Sequence, residues 1–157
     1  MVWIDIGIFI LGAVVGSFLN VCIHRMPEGC SIVFPSSRCP KCGHPISWHD
    51  NIPLLGYLLL KGRCRHCGEG ISPRYPLVEG LTACLALFLY WKFGAGFQGP
   101  VAFAFVCALI VVTFIDLNHQ IIPHAITLPG IPLCFLASVF IMDLRALDAF
   151  MGVMTGI

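Results

Sequence analysis

Four long apolar windows constrain the fold of this 157-residue chain more than any other feature. They cover residues 4–23, 76–93, 97–115 and 125–142, and each approaches the roughly 20 helical residues that cross a bilayer core of about 30 Å. Only 11% of the residues are charged, whereas a soluble domain carries about 25%. Because backbone groups in lipid must be satisfied within their own segment, the windows predict an all-α polytopic membrane protein with four transmembrane helices.

A fifth apolar stretch begins at residue 146 or 147 and continues to residue 157. It is too short to cross a bilayer, so we expect a truncated fifth helix and the absence of part of the natural protein. The first window could instead be a signal peptide. It has no basic region before its apolar part and no small-x-small cleavage site, which favours an uncleaved span.

The basic residues are concentrated between the first two windows. Seven of the nine Lys and Arg residues lie in the loop 24–75: Arg25, Arg38, Lys41, Lys61, Arg63, Arg65 and Arg74. The positive-inside tendency makes this loop cytoplasmic and places the N-terminus outside. Alternate threading then places residues 94–96 outside, residues 116–124 inside and residues 143–148 outside. The net charge of +1 gives no sign of a nucleic-acid partner.

Four of the nine cysteines form an internal repeat in this loop, "CPKCGHPIS" from Cys39 and "CRHCGEGIS" from Cys64. Cys39, Cys42, Cys64 and Cys67 have the spacing of a tetrahedral four-thiolate site, in which zinc would have a structural role. A rubredoxin-like iron site and unmetallated thiols are the alternatives, and a reducing compartment disfavours disulfides. His44, His49 and His66 could replace a ligand, although four cysteines suffice.

We call the two repeats the first knuckle (Cys39–Ser47) and the second knuckle (Cys64–Ser72). An apolar segment, residues 52–60, lies between them. It is too short to span, which predicts a helix that lies at the membrane surface or packs on the spans. Pro53 suits the first turn of such a helix, with Asp50 or Asn51 as its cap.

Polar residues within the windows have two interpretations each. Gly12, Gly16 and Asn20 of the first window predict close helix packing with an interhelical hydrogen bond, or the wall of a site. Glu79 near the start of the second window is either an interfacial carboxylate favoured by the helix dipole or a functional acid.

Asp116 lies where the third window ends, and a proline follows at position 123. It is either a carboxylate that marks the water interface or a functional group facing a protected cleft. Aspartic proteolysis requires two carboxylates that share one proton. Asp143 and Asp148 fall on the opposite face in this topology, whereas Glu79 falls on the same face.

Three strings resemble, in order, the bacterial type IV prepilin peptidases, which are GxGD membrane aspartic proteases. They are "GSFLNVCIHRMP" (16–27), the knuckle region through "YPLVEGLTA" (38–83) and "FIDLNHQIIPHAITLP" (114–129). The resemblance implies cleavage of a basic leader from type IV prepilins or type II secretion pseudopilins in the bacterial inner membrane. It also implies N-methylation of the new terminus with S-adenosylmethionine. The bilayer and a substrate with an apolar N-terminal helix are the implied partners.

By this resemblance Asp116 matches the first catalytic aspartate, and the cysteine knuckles match the family's cytoplasmic zinc domain. The second aspartate belongs to a Gly-x-Gly-Asp string that does not occur here, and aspartates common in the family are replaced by Asn118 and His124. We therefore expect an N-terminal portion that does not cleave by itself, unless Glu79 is the partner of Asp116. Gly16, Asn20 and Glu79 are candidates for binding the methyl donor on resemblance alone.

The expected organisation is a first transmembrane helix (1–24), a cytoplasmic zinc-binding loop domain (25–75) and a membrane-embedded peptidase region (76–157). A rival hypothesis from another class is a non-enzymatic membrane adaptor whose zinc-stapled loop binds a partner. Composition and topology fit both hypotheses.

Overall fold

The computed structural model describes residues 2–34, 36–141 and 145–155. Within these ranges the regular structure is helical, with only two isolated β-bridges. The helices are α1 (Val2–Arg25), α2 (Leu55–Leu59), α3 (Arg74–Phe93), α4 (Gln98–His119), α5 (His124–Phe140) and α6 (Ala146–Thr155). The all-α prediction is confirmed for the described part of the chain.

Three of the helices, α1, α3 and α4, are long and apolar enough to cross a membrane. They correspond to the first three predicted spans. The fourth predicted span forms α5, an apolar helix of 17 residues, which is about 25 Å long at 1.5 Å per residue. The end of that span (Met142), Asp143 and the end of the fifth stretch (Ile157) lie outside the described residues, and α6 has 10 residues.

The chain forms two compact units, Met1–Phe88 and Leu89–Ile157. In the first unit, α1 packs closely on α3 because α1 presents glycines at the contact. A Cβ atom on Gly12 would lie 2.7 Å from the Cα of Ala83, and one on Gly16 would lie 2.7 Å from the Cα of Glu79. Small residues allow two backbones to approach in this way. The packing interpretation of the two glycines is therefore confirmed.

The segment between the knuckles forms less helix than the sequence predicts. Only α2 is helical, and its N-cap residue is Leu54, which has φ +61° and makes no side-chain cap. The N–H of Leu55 donates to the carbonyl of Pro53 at 2.6 Å, so a tight three-residue turn precedes the helix. The predicted start at Pro53, capped by Asp50 or Asn51, was wrong because this turn interrupts the helical path.

In the second unit, α5 contacts both α4 and α6. The end of α4 is fixed by Gln120, which has left-handed φ and ψ of 54° and 36°, and its N–H donates to the carbonyl of Asp116 at 2.8 Å. The next helix starts directly after Pro123. This chain reversal places Asp116 in the last turn of α4.

Candidate functional site

The four knuckle thiols come together in one cluster. The Sγ atoms of Cys39, Cys42, Cys64 and Cys67 all lie within 4.8 Å of one another, and those of Cys39 and Cys67 are 3.9 Å apart. Tetrahedral zinc with Zn–S bonds near 2.3 Å requires sulfur atoms about 3.8 Å apart. The cluster therefore has the donor set and spacing of a zinc–thiolate site.

The sequence repeat is also a repeat of backbone geometry. In each knuckle the first cysteine, Cys39 or Cys64, accepts a hydrogen bond at 2.9 Å from the N–H of the glycine four residues later. Those glycines, Gly43 and Gly68, have φ of +69° and +71°, which disfavours a side chain. The N–H of the first cysteine then donates to the carbonyl five residues on, at 3.0 Å and 2.8 Å. Two equivalent turns thus present two thiols each.

The electrostatics of the cluster favour a bound cation. The backbone N–H groups of Cys42 and Lys41 lower the pKa of Cys39 to about 7. For Cys67, the N–H of Glu69 lowers the pKa, but desolvation and the three neighbouring thiols outweigh it and raise the value to about 11. Adjacent thiolates repel one another, and a divalent metal removes that repulsion.

Two of the three histidines near the knuckles contact each other instead of joining the sulfur cluster, and the third, His49, lies 3.7 Å from Asp50. The rings of His44 and His66 have centroids 3.4 Å apart, and Lys41 lies 3.9 Å from Glu69 across the two knuckles. Both pairs join the first knuckle to the second. The prediction that four cysteines suffice agrees with this arrangement.

The inter-knuckle segment is tied to the second knuckle by an ion pair. The guanidinium of Arg65 binds Asp50 with one nitrogen at 2.6 Å and another at 2.9 Å from the two carboxylate oxygens. Bidentate pairs of this kind fix orientation as well as distance. The hydrogen bonds from Arg65 lower the pKa of Asp50.

A cleft of about 470 Å³ lies between the knuckles, the Arg25 end of α1 and the Arg74 end of α3. Its lining includes Asn20 and Glu79, two of the residues that the sequence proposed as cofactor ligands. A cavity of this size is typical of small-molecule sites, which occupy about 300–1,000 Å³. The fold therefore joins the cysteine loop and the two spans in one concave site.

Two buried side chains give the cleft its chemistry. The Nδ2 of Asn20 donates to the carbonyl of Tyr75 at 3.0 Å, while its Oδ1 is buried without a protein partner. The Oε2 of Glu79 accepts the N–H of Leu54 at 2.8 Å. Asn20 is 2% exposed and Glu79 8%. An unpaired buried oxygen and a held carboxylate in the same cleft are an arrangement suited to a ligand with donor groups.

Two features of the site were not identified from the sequence. Arg74 has a buried Nε without a hydrogen-bond partner. In the sequence, Arg74 is only one of the seven basic residues that predict the orientation of the loop in the membrane. Leu54 supplies the N–H that holds Glu79, and no local pattern marks a leucine for that task. Gly16 contributes to the cleft indirectly, because its missing side chain lets α1 approach the backbone of Glu79.

Asp116 belongs to the second unit and is exposed in the last turn of α4. A helix C-terminus carries partial negative charge, so a carboxylate there is disfavoured by the macrodipole. Helix stability therefore does not account for an acid at this position.

Two family models match the chain. Residues 10–93 match the bacterial peptidase A24 N-terminal domain, and residues 103–157 match the type IV leader peptidase family. The first match covers both knuckles, Asn20 and Glu79, and the second covers Asp116. No solved structure matches the chain.

Curated relatives agree with these models. A prepilin leader peptidase/N-methyltransferase of Myxococcus xanthus is 48% identical over 95% of this chain and 44% of its own length. The proteins of the same name from Klebsiella pneumoniae and Pseudomonas putida are 39% and 35% identical, and the matches cover 68% and 59% of their lengths. The chain thus spans about half to two thirds of the relatives it matches. The chain belongs to the type IV leader peptidase family.

Proposed function

We propose that this chain is part of a membrane aspartic endopeptidase that removes the leader of type IV prepilins or type II secretion pseudopilins and then N-methylates the new terminus. The observation that carries the proposal is the joint match of both chain regions to this family, with relatives named prepilin leader peptidase/N-methyltransferase. The geometry of the cleft supports the methyl-transfer half, and the position of Asp116 supports the peptidase half.

In the peptidase half, Asp116 is one carboxylate of a catalytic pair. One member of such a pair takes a proton from water while the other donates to the scissile carbonyl. Asp116 is exposed where a membrane-length helix ends, so it is accessible to a peptide bond that enters from the bilayer surface. The 157 residues contain no Gly-x-Gly-Asp string. A single aspartate lacks its partner, so we expect no cleavage by these residues alone.

The substrate would be a prepilin with a basic leader and an apolar N-terminal helix. That helix would lie in the bilayer beside the spans, with the leader on the side of the zinc loop. We propose the bacterial inner membrane as the location, with the N-terminus periplasmic and the zinc loop and Asp116 cytoplasmic. The seven basic residues of loop 24–75 support this orientation.

The four thiols would hold one structural zinc ion. Four cysteine ligands fill a tetrahedral shell, so no position is left for water or substrate. The metal would therefore stabilise the loop that forms one side of the cleft, and would not activate a nucleophile.

The cleft residues fit S-adenosylmethionine, which would supply the methyl group when bound. The donor carries an ammonium, a sulfonium and a carboxylate. The Oδ1 of Asn20 is an unpaired acceptor for its donors, Glu79 offers the opposite charge to its cations, and the Nε of Arg74 is an unpaired donor for its carboxylate. Gly16 would contribute by keeping α1 close to Glu79.

Methyl-donor binding tests the cofactor assignment directly. Glu79→Gln should weaken the affinity for S-adenosylmethionine at least about tenfold, because a hydrogen bond to a charged group is worth roughly 1.5–3 kcal/mol. Glu28→Gln is the matched control, since Glu28 is exposed and does not line the cleft. Calorimetry on the purified protein measures both. Equal affinities for the two variants would remove Glu79 from the donor site.

Leader cleavage tests the peptidase assignment and the rival adaptor hypothesis. In the intact protein, Asp116→Asn should abolish leader cleavage, whereas Asp148→Asn should not, because Asp148 is an exposed carboxylate on α6. An adaptor would show no cleavage with any variant. Cleavage by the 157 residues alone, lost in Glu79→Ala, would instead make Glu79 the partner of Asp116.

A further inference from the structure

One apolar groove in the first unit is not used by the proposed chemistry. It has a volume of about 510 Å³, and the segment between the knuckles forms one side of it. The other side is the membrane-spanning part of α1. The apolar lining residues are Ile10, Val14, Phe18 and Val21 from α1, with Trp48, Ile52 and Pro53 from the segment.

The groove lies at membrane depth along α1. At 1.5 Å of rise per residue, Phe18 is about 10 Å and Val14 about 16 Å from Arg25, the last residue of the helix. Both are inside the apolar window that would cross the bilayer. Trp48 and Ile52, which face the same groove, therefore lie beside the span and not above its end.

The contacts of the inter-knuckle segment with α3 independently place this segment at the same depth in the bilayer. Leu54 donates its N–H to Glu79 at 2.8 Å, and its side chain lies 3.8 Å from where a Cβ on Gly80 would be. Glu79 is about 8 Å along the helix from Arg74, where α3 begins. The turn before α2 therefore lies deeper in the bilayer than Arg74, the residue at which α3 begins.

The outward surface of this segment is apolar and exposed. Trp48 is 81% exposed, Leu55 56%, Leu58 69% and Leu59 77%. No charged residue occurs from position 51 to 60, and Lys61 follows directly. In water the exposure of several large apolar side chains within one short segment would be unfavourable. In a leaflet, tryptophan and a following lysine are typical of the boundary with the headgroups.

We propose that the apolar surface of Trp48, Leu55, Leu58 and Leu59 is immersed in the bilayer leaflet next to the zinc loop and lies against lipid acyl chains, while the carboxylate of Asp50 stays paired with Arg65 of the second knuckle. Lipid is the occupant because the surface is continuous with the exposed side of α1, where Ile10, Val14 and Phe18 are 57%, 51% and 50% exposed. The segment between the knuckles then anchors the loop domain in the membrane, and the two knuckles remain in water.

Tryptophan quenching in vesicles tests this placement. In the intact protein, Trp48 is kept and every other tryptophan is replaced by phenylalanine, so the native side chain is the reporter. A second variant without native tryptophans carries Leu58→Trp. The control carries Lys41→Trp, since the Lys41 side chain is 69% exposed on the first knuckle. Each variant is reconstituted in phosphatidylcholine with or without brominated acyl chains, and zinc content confirms an intact loop.

Immersion predicts that Trp48 and Leu58→Trp lose most of their fluorescence to brominated lipid and are protected from aqueous acrylamide. Lys41→Trp should show the opposite pattern. Quenching of Trp48 and Leu58→Trp by acrylamide alone would overturn the proposal in favour of a water-exposed loop. Protection from both quenchers would also overturn it, because a second copy or another protein would then cover the surface.

Discussion

The contact between Gly16 and Glu79 gives the sharpest test of how the fold builds the cleft. Replacing Gly16 with alanine adds a Cβ that would lie 2.7 Å from the Cα of Glu79 and 3.1 Å from the Cβ of Thr82. Both are closer than van der Waals contact, and the nearest atom is backbone that cannot rotate away. Either α1 or α3 must shift at the level of Glu79.

The expected cost follows from overpacking. Extra methyl groups forced into a packed interior cost about 1–3 kcal/mol, while alanine gains about 1 kcal/mol over glycine in helix propensity. Gly7→Ala isolates the second effect, because a Cβ there meets nothing within 4 Å on the same helix. Gly16→Ala should therefore be less stable than Gly7→Ala by about 1–3 kcal/mol.

Gly12→Ala separates the effect of overpacking between α1 and α3 from the effect of moving Glu79 in the cleft. Its Cβ would lie 2.7 Å from the Cα of Ala83, so the overpacking is equivalent but lies one turn from the cleft. Thermal unfolding in detergent should give both variants similar losses of stability. Affinity for S-adenosylmethionine should fall mainly in Gly16→Ala, by about tenfold for each 1.4 kcal/mol of lost contact with Glu79. If Gly16→Ala is as stable as Gly7→Ala, the close helix contact is refuted; if its donor affinity equals that of Gly12→Ala, the positioning argument fails.

Three further predictions concern the loop. Cys64→Ser should lose bound zinc by metal analysis, whereas Cys84→Ser, which removes an exposed thiol outside the cluster, should retain it. Zinc affinity should rise with pH in competition titrations, because the pKa of Cys67 is raised to about 11 and the metal must displace its proton; a flat profile would contradict this. Asp50→Asn should flatten the acid side of the stability curve. Arg65 lowers the folded pKa of Asp50 below 3.8, so its stabilisation is present above that value and lost as pH falls through the folded pKa. An unchanged acid limb would show that the ion pair is not formed in solution.

Spans and knuckles could be predicted because their signals are local. Apolar length identified α1, α3 and α4, and two Cys-x-x-Cys-Gly repeats identified the thiol cluster before any geometry was known. The residue at which α2 begins, inside the loop, was harder to predict. Pro53 is compatible with a first helical turn, but the turn at Leu54 is set by a distant acceptor, the carboxylate of Glu79.

The cleft depends on long-range contacts, which no local pattern encodes. Asn20 and Tyr75 are 55 positions apart and Leu54 and Glu79 are 25 apart, so their pairing follows from helix packing. Local pattern gave Asn20 and Glu79 a functional role only as one of two interpretations, and a role in binding the methyl donor came from resemblance alone. It gave no indication that the Oδ1 of Asn20 would be buried without a partner, which is the strongest physical sign of a ligand there.

These contacts also explain how a structural metal can affect Glu79, a residue outside the four-thiol cluster. Leu54 lies in the chain between the two knuckles, and its φ of +61° is unfavourable for a leucine by about 1–3 kcal/mol. Such a conformation persists only where the surroundings hold it. The thiol cluster fixes both ends of the segment, and the pair of Asp50 with Arg65 fixes its start to the second knuckle. The N–H that this strained turn presents to Glu79 therefore depends on the folded knuckles, and the carboxylate in the cleft is positioned by a loop that zinc would hold together.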